Sequence, residues 1–268
     1  MTAIAIPLAL LCSLGISAAA FAARSDWTAA DQSQLRLLLA GREDGRLSGG
    51  VEMLIEPGWY TYWRNPGEAG IPPVFDFSAS SNIAAVDLLF PAPERHDDGQ
   101  SVSLIYRDEV VFPLLVTPLD PDESVTLRVS ATFGICSDIC VPTGAMAELS
   151  APAAPPPDPL TEARLAQFLT RVPRAAEPGR FDIEAVSADG DALLIEVRAP
   201  DSSYLDLFSE SPPGWYIGQP DFLSREGGIS RYRLALAGAP ENAALAGLTF
   251  RFVAVAGDEA IEKTIELP

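Results

Sequence analysis

Basic residues are scarce in this sequence of 268 residues. Lys and Arg number 18 against 37 Asp and Glu, so the formal net charge at pH 7 is −19, and the isoelectric point lies near 4.3. Such a surface repels the phosphate backbone of nucleic acids and anionic lipid headgroups, and no local cluster of Lys or Arg offsets the repulsion. The composition therefore argues against nucleic acid as a partner.

Histidine is nearly absent, since His96 is the only one in the chain. A Ser-His-Asp triad would have to be built around it, and no Gly-rich phosphate loop or nucleophile motif is present. Glu94, His96, Asp97 and Asp98 are close in sequence, but an Asp-Asp-Gly segment favours a solvated turn over a metal or acid/base cluster. The sequence thus argues against a hydrolytic enzyme and predicts no cofactor and no metal ion.

Cysteine is rare, and one of the three cysteines lies in an apolar leading segment. Residues 1–23 carry no charged side chain and end in small residues, which is typical of a secretory signal peptide over residues 1–22. An uncleaved anchor is the alternative, because about 20 apolar residues can span a bilayer. Cys12 lacks the small preceding residue expected next to a lipidated cysteine. No later apolar run is long enough to span, so we expect no membrane span after cleavage.

The rest of the chain favours short strands. Apolar segments alternate with Gly, Pro and Asp, and this pattern predicts an all-β protein. The predicted strands of a first unit are residues 47–55, 110–117, 125–133 and 146–149, and those of a second unit are 182–197, 230–236, 248–255 and 260–267. We therefore predict two β-sandwich domains, residues 23–150 and 179–268. The Pro-rich segment 151–178 between them is predicted to be a stiff linker with a short helix over 160–172.

Aromatic residues are concentrated near the start of the first unit. Trp59, Tyr60, Tyr62 and Trp63 alternate around Thr61. This arrangement favours strand-face and core aromatics over a binding site.

Cys136 and Cys140 are the two cysteines outside the leading segment. An extended strand would hold their Cα atoms about 13 Å apart, whereas a disulfide requires less than about 7 Å. The chain must therefore turn between them, and Gly134, Ser137 and Asp138 supply turn residues. In an exported chain we expect the pair to form a disulfide on a loop at the end of a strand.

A disulfide across so short a loop contributes little stability, about 2 kcal/mol against about 4.7 kcal/mol for a loop of a hundred residues. This favours an exchangeable bridge, with an inert local staple as the alternative. A second alternative is a metal site, because Cu(I) accepts two sulfurs, whereas two thiolates leave a zinc shell incomplete.

The surroundings of the pair do not favour spontaneous reaction. No Lys, Arg or His lies within five residues of either cysteine to stabilise a thiolate, and Asp138 lies between them. Either a partner's thiolate attacks the disulfide, or the reduced pair is activated on docking. This pattern favours a protein electron carrier over an enzyme with a small-molecule pocket.

Three stretches resemble the amino-terminal periplasmic domain of the DsbD and ScsB thiol-disulfide reductases, with the ScsB-like branch nearer. They are residues 58–67, residues 105–108 with Pro113, and residues 136–142, and together they extend over about residues 45–150. The resemblance implies an immunoglobulin-like β-sandwich in the periplasm. It also implies that Cys136 and Cys140 are the redox pair, with Asp97 and Asp98 on a nearby acidic loop and Tyr106 in a supporting role.

The same resemblance implies thioredoxin-fold periplasmic proteins as partners. The family domain receives electrons from a membrane-embedded module with a thioredoxin-like domain, and this sequence contains neither, so a separate membrane electron donor is implied. Some relatives shield the disulfide with an aromatic cap, where this sequence has Gly99 and Gln100. The function expected is thiol-disulfide oxidoreductase activity by dithiol-disulfide exchange. The alternative is a non-enzymatic periplasmic module that binds copper or a protein and has a structural disulfide.

Overall fold

The computed structural model describes residues 23–200, 204–215, 217–240 and 244–268. The predicted signal peptide and Cys12 lie outside the described residues. Within the described ranges, no helix is long and apolar enough to cross a bilayer.

In the described part of the chain, eleven strands precede the Pro-rich segment. They are β1 (Thr28–Ala30), β2 (Ser33–Glu43), β3 (Arg46–Ile55), β4 (Tyr60–Gly67), β5 (Val74–Asp76), β6 (Ile83–Leu88), β7 (Glu94–Asp97), β8 (Val102–Arg107), β9 (Glu109–Pro118), β10 (Val125–Cys136) and β11 (Cys140–Ala151). The four strands predicted for this unit are confirmed as β3, β9, β10 and β11, and β11 begins earlier than predicted.

These strands form two antiparallel sheets packed face to face. One has the order β1-β2-β3-β9-β6, and the other has the order β11-β10-β4-β8-β7 with β5 paired to β10. Apolar side chains from both sheets form a single buried core, in which Trp63, Phe112 and Phe133 are among the largest fully buried side chains. The second sheet, which carries both cysteines, is called the redox sheet below.

One helix and eight strands follow among the residues that the structure describes. They are α1 (Pro159–Leu169), β12 (Arg174–Ala175), β13 (Asp182–Asp189), β14 (Ala192–Arg198), β15 (Leu205–Glu210), β16 (Asp221–Glu226), β17 (Ile229–Ala235), β18 (Thr249–Ala256) and β19 (Glu259–Glu266).

The predicted helix of the Pro-rich segment is present as α1. Asp158 caps it by accepting hydrogen bonds from the backbone N–H groups of the first turn, and Pro159 occupies a position where no N–H is needed. Leu165 and Phe168 are buried in the core of the first sandwich. Gly50 on β3 leaves space for Leu165, since a Cβ there would lie 2.8 Å from Cδ2 of that side chain. This helix therefore packs on the first sandwich and does not act as a free spacer.

The second sandwich has sheets of order β12-β19-β18-β15 and β13-β14-β17-β16 around their own core. The all-β class with two sandwiches is thus confirmed, while the exact domain limits stay a prediction. The prediction of a single strand over residues 182–197 is wrong. Gly190 has a φ of 60°, which allows a tight turn there, so the segment is a hairpin of β13 and β14.

Candidate functional site

The two cysteines lie at the tip of a β-hairpin. β10 ends at Cys136, β11 begins at Cys140, and the two residues are direct partners in the antiparallel register. Their Cα atoms are 4.2 Å apart, and the sulfurs form a disulfide. Ser137 donates its backbone N–H to the carbonyl of Ile139 at 3.1 Å and closes the loop. The predicted disulfide on a turn at the end of a strand is confirmed.

The two cysteines differ in exposure. Cys136 has 0% of its surface exposed, while Cys140 is exposed. Cys136 packs with Tyr60, Tyr62 and Ile105 in a small cluster separate from the main core, on the outer face of the redox sheet. A docking protein can therefore reach Cys140 but not Cys136.

Tyr62 lies within hydrogen-bond distance of both sulfurs. Its hydroxyl lies 3.0 Å from Sγ of Cys136 and 3.0 Å from Sγ of Cys140. Because side chains alternate across a strand, Tyr60 and Tyr62 share the outer face while Thr61 and Trp63 point inward. Thr61 donates its hydroxyl to the carbonyl of Gly134 at 2.8 Å and fixes β4 against β10.

Two glycines hold the ring of Tyr62 in place. A Cβ at Gly70 would lie 2.2 Å from Cε1 of the ring, and a Cβ at Gly134 would lie 3.2 Å from Cε2. Because neither glycine has a side chain, the backbone at both positions can pack directly against the ring. Sequence reasoning placed Tyr62 among strand and core aromatics and missed its contact with the sulfurs. The available signal was that a buried phenol requires a hydrogen-bond partner.

The environment of Tyr62 favours its protonated form. Burial raises the pKa of the phenol well above its ordinary value, and the neighbouring Tyr60 and the charge of Asp98 raise it further. At neutral pH the hydroxyl therefore remains a hydrogen-bond donor to sulfur.

The structure brings a cation to the site that sequence proximity did not reveal. Arg107 on β8 is opposite Tyr60 in the register, and its guanidinium carbon lies 5.4 Å from the centre of that ring. Arg107 also donates a hydrogen bond to Nδ1 of His96 at 2.9 Å, and the rings of Tyr60 and His96 are 5.0 Å apart. The single histidine thus belongs to the outer surroundings of the disulfide.

Asp97 and Asp98 lie where β7 ends and a solvated turn begins. Asp97 accepts a hydrogen bond from the N–H of Gly99 at 2.8 Å, and Asp98 accepts from Gln100 and Ser101, both at 2.8 Å. The backbone hydrogen bond from Ser101 and, to a smaller extent, that from Gln100 lower the pKa of Asp98. Within the described ranges, no group of three or more His, Cys, Asp or Glu residues is arranged to hold a metal ion.

Tyr106 lies on the inner face of the redox sheet. It is opposite Thr61 in the register, its hydroxyl donates to the carbonyl of Pro91 at 2.6 Å, and its ring contacts Phe112 at a centroid distance of 5.4 Å. The structure therefore brings Asp98 within electrostatic reach of Tyr62, but places Tyr106 across the sheet from Cys136.

Comparison with known families identifies the cysteine-bearing half of the chain. Residues 29–152 match the family described as thiol:disulfide interchange protein DsbD, N-terminal. Residues 29–152 therefore form a DsbD N-terminal domain. The disulfide hairpin, Tyr62 and the turn that begins at Asp97 and Asp98, called the acidic turn below, all lie within this DsbD N-terminal domain.

Among solved structures, the N-terminal periplasmic domain of ScsB from Proteus mirabilis is similar over 92% of this chain and 99% of its own, with a TM-score of 0.73 and 22% identity. The reduced DsbD N-terminal domain of Neisseria meningitidis aligns over 45% of this chain and 85% of its own, with a TM-score of 0.29 and 16% identity. No curated protein is significantly similar in sequence. The likeness to ScsB extends over both sandwiches and confirms the predicted immunoglobulin-like fold.

We expect the stability of the protein to fall as the pH rises above about 10. Burial raises the pKa of Tyr62, Tyr106 and Tyr232 above the ordinary value. A phenol with a folded pKa above its unfolded value contributes stability that is complete below the unfolded pKa and is lost as the pH rises through the folded pKa. Denaturant unfolding between about pH 8 and 11, followed together with phenolate absorbance, measures this. Ionisation of all six tyrosines near pH 10 without loss of stability contradicts the prediction.

Proposed function

We propose that this protein is a periplasmic thiol-disulfide interchange protein that relays electrons through Cys136 and Cys140 to or from a thioredoxin-fold partner. The observation that carries the proposal is the asymmetric disulfide in a DsbD N-terminal domain. One sulfur belongs to an exposed residue at a hairpin tip, and the other is buried against a protonated phenol. The periplasmic location is supported by the fold shared with the periplasmic domain of ScsB.

The exchange begins at the accessible sulfur. A partner thiolate attacks Sγ of Cys140 in line with the disulfide, the bond between the two sulfurs breaks, and its electron pair leaves on Sγ of Cys136. The product is a mixed disulfide between Cys140 and the partner, with a thiolate at Cys136. The Tyr62 hydroxyl, 3.0 Å from that sulfur, donates a hydrogen bond to the thiolate and offsets the cost of burying its charge.

The second step completes the transfer. The partner's other thiolate attacks the partner sulfur of the mixed disulfide, and the electron pair of that bond leaves on Sγ of Cys140. The partner is then oxidised to its disulfide, while Cys136 and Cys140 hold two electrons and take up two protons, which the partner's two thiols supply through solvent. The reverse sequence passes the electrons to an oxidised acceptor, with Cys140 as the attacking thiolate and Cys136 as the resolving one.

In this proposal, the acidic turn and Tyr106 act on the sulfurs indirectly, through other residues. Burial is the main reason that the pKa of the Tyr62 phenol is raised, and the negative charge of Asp98 adds to this effect. Asp97 holds the same turn by accepting a hydrogen bond from Gly99. Tyr106 supports β8 from inside the sandwich through its bond to Pro91. Negative charge near the pair disfavours free thiolate, which reserves exchange for the docked complex.

The test is the reduction potential of the disulfide. We expect the oxidised full chain to equilibrate with glutathione buffers and give a potential above about −300 mV, as exchangeable bridges do. The reduced form should then transfer its electrons to an oxidised thioredoxin-fold isomerase. Alkylation of free thiols and mass measurement follow this transfer. A double variant in which Cys136 and Cys140 are both replaced by Ser is the control without transfer. A bond that stays oxidised across the whole glutathione range identifies a structural bridge and overturns the proposal.

A further inference from the structure

The redox sheet is joined to the second sandwich by an arginine close to Tyr62. Arg64 follows Tyr62 by two residues on β4 and donates to Glu210 from Nε at 3.0 Å and from Nη2 at 2.7 Å. Nη2 also bonds to Glu262 on β19. The next residue, Asn65, donates its side-chain amide to the carbonyl of Ser209 at 2.9 Å. The end of β4 is therefore held by the second sandwich.

A second arginine makes the equivalent connection from β7. Arg95 directly precedes His96, whose ring contacts Tyr60. Its guanidinium forms a two-pronged pair with Asp206 at 3.0 and 2.8 Å, and it also donates to the carbonyls of Leu207 and Pro220. Such fork-shaped pairs fix direction as well as distance.

Both arginines bind the same strand of the second sandwich. Asp206, Phe208 and Glu210 alternate along β15, so their side chains share one face. Phe208 is fully buried in the core of the first sandwich, with its ring 6.4 Å from that of Trp63. We call this face the β15 docking face. It contains an apolar residue flanked by two carboxylates, and each carboxylate binds one arginine of the redox sheet.

The burial of these pairs separates them from ordinary surface ion pairs. The side chains of Arg64 and Glu210 are 21% and 20% exposed, and those of Arg95 and Asp206 are 24% and 13% exposed. Partly buried pairs resist solvent competition better than exposed ones, and removing one partner leaves a charge without compensation. The β15 docking face therefore binds the two strands, β4 and β7, that carry Tyr62 and His96.

We propose that Arg64 and Arg95 are positioning residues, and that the second sandwich holds β4 and β7 in the arrangement that keeps the Tyr62 hydroxyl within reach of both sulfurs. This inference rests on the proposed function, because positioning matters only if the disulfide exchanges. The second sandwich is then part of the redox device, and its role differs from the docking or spacing expected of a separate module.

The test compares Arg64→Gln and Arg95→Gln with the unmodified full chain. We expect each substitution to lower the rate constant for reduction of the disulfide by a small dithiol by about twofold or more, the lower end of couplings between contacting residues. For the reduced chain reacting with a small disulfide, the pH–rate profile set by the attacking protein thiol should move to higher pH. Arg64→Lys should restore part of the rate, because Lys supplies the charge but not the fork. In a Tyr62→Phe background, Arg64→Gln should have no further effect on the rate if it acts through the phenol.

Two variants serve as matched controls. Arg251→Gln removes an arginine that approaches the same Glu210 and Glu262 at 3.8 Å but lies on β18. Arg198→Gln removes an ion pair with Glu184 inside the second sandwich. Both should leave the exchange rate unchanged. If the arginine variants do not fold, Glu210→Gln removes one of the two carboxylates that bind Arg64, and Asp206→Asn removes the carboxylate that binds Arg95, both with little change in side-chain volume.

The outcomes separate this inference from the proposed function. If the unmodified chain does not exchange with the dithiol, the proposed function fails. If the unmodified chain exchanges and the Arg64, Arg95, Glu210 and Asp206 variants lose only thermal stability while their rates and pH profiles match it, the arginines are structural and the inference is overturned.

Discussion

A Cys136→Ser variant is expected to form a stable mixed disulfide with a thioredoxin-fold partner, whereas a Cys140→Ser variant forms none. In Cys136→Ser the exposed thiol at Cys140 still meets the partner, but no second sulfur is present to resolve the adduct. In Cys140→Ser the remaining thiol, at position 136, is fully buried beneath Tyr60 and Tyr62. Access alone therefore predicts an all-or-none difference between two substitutions with the same change in side-chain chemistry.

The measurement uses a partner with its attacking cysteine activated as a mixed disulfide with thionitrobenzoate. Release of the coloured thiol gives the rate, and non-reducing electrophoresis gives the adduct. Thiol titration after denaturation checks that both variants hold one free sulfur per mature chain. Equal adduct formation by both variants contradicts the assignment of Cys140 as the accessible sulfur.

Tyr62→Phe is expected to slow exchange near neutral pH without unfolding the chain. The substitution removes the hydroxyl that lies 3.0 Å from both sulfurs, and Phe fills the same space between Gly70 and Gly134. A hydrogen bond to a charged group contributes about 1.5–3 kcal/mol, which corresponds to a movement of the pH–rate profile by roughly one to two units to higher pH.

The rate changes less than the fraction of thiolate does. A less stabilised thiolate is more nucleophilic, with a Brønsted coefficient of about 0.4–0.5, so the rate constant at neutral pH should fall by roughly three- to sixteenfold. At alkaline pH, where the thiol is ionised in both proteins, the difference should disappear or reverse. Stopped-flow reaction of the reduced protein with a disulfide over a range of pH measures both effects.

Tyr232→Phe is the matched control for this prediction. Tyr232 is also buried, and burial raises its pKa as well, but it lies on β17 in the second sandwich and donates to the carbonyl of Leu205. It should change stability and leave the pH–rate profile in place. A Tyr62→Phe profile that coincides with that of the unmodified protein shows that the phenol does not act on the sulfurs.

Much of the fold could be predicted from local pattern. Alternating apolar residues bounded by turn residues identified β3, β10 and β17, because period-two alternation is a property of a strand that needs no knowledge of its partners. The hairpin of β13 and β14 was missed because its apolar residues continue almost to Gly190. The docking of α1 was also missed, since a proline-rich flank says nothing about which surface a short helix will cover.

For the candidate site, only relations between residues close in sequence could be predicted. The spacing of Cys136 and Cys140 required a turn if the pair was to form a disulfide. Asp98 lies on the expected solvated turn, whereas Asp97 is the last residue of β7. Tyr62 and Arg107 lie 74 and 29 residues from Cys136 in sequence, and the pairing of β4 with β10 and β8 places them around the disulfide. Strand pairing is a long-range choice that depends on the whole sandwich, so no local pattern could assign these contacts.

The sequence by itself determined that the chain is acidic, that it forms strands, and that a disulfide between its two neighbouring cysteines needs a turn, because charge, alternation and the reach of the backbone are properties of consecutive residues. The tertiary structure decided which sulfur is exposed, which phenol contacts it, and which arginines join the redox sheet to the second sandwich. Those relations depend on burial and on side chains from distant strands, and both exist only once the sheets have paired and packed.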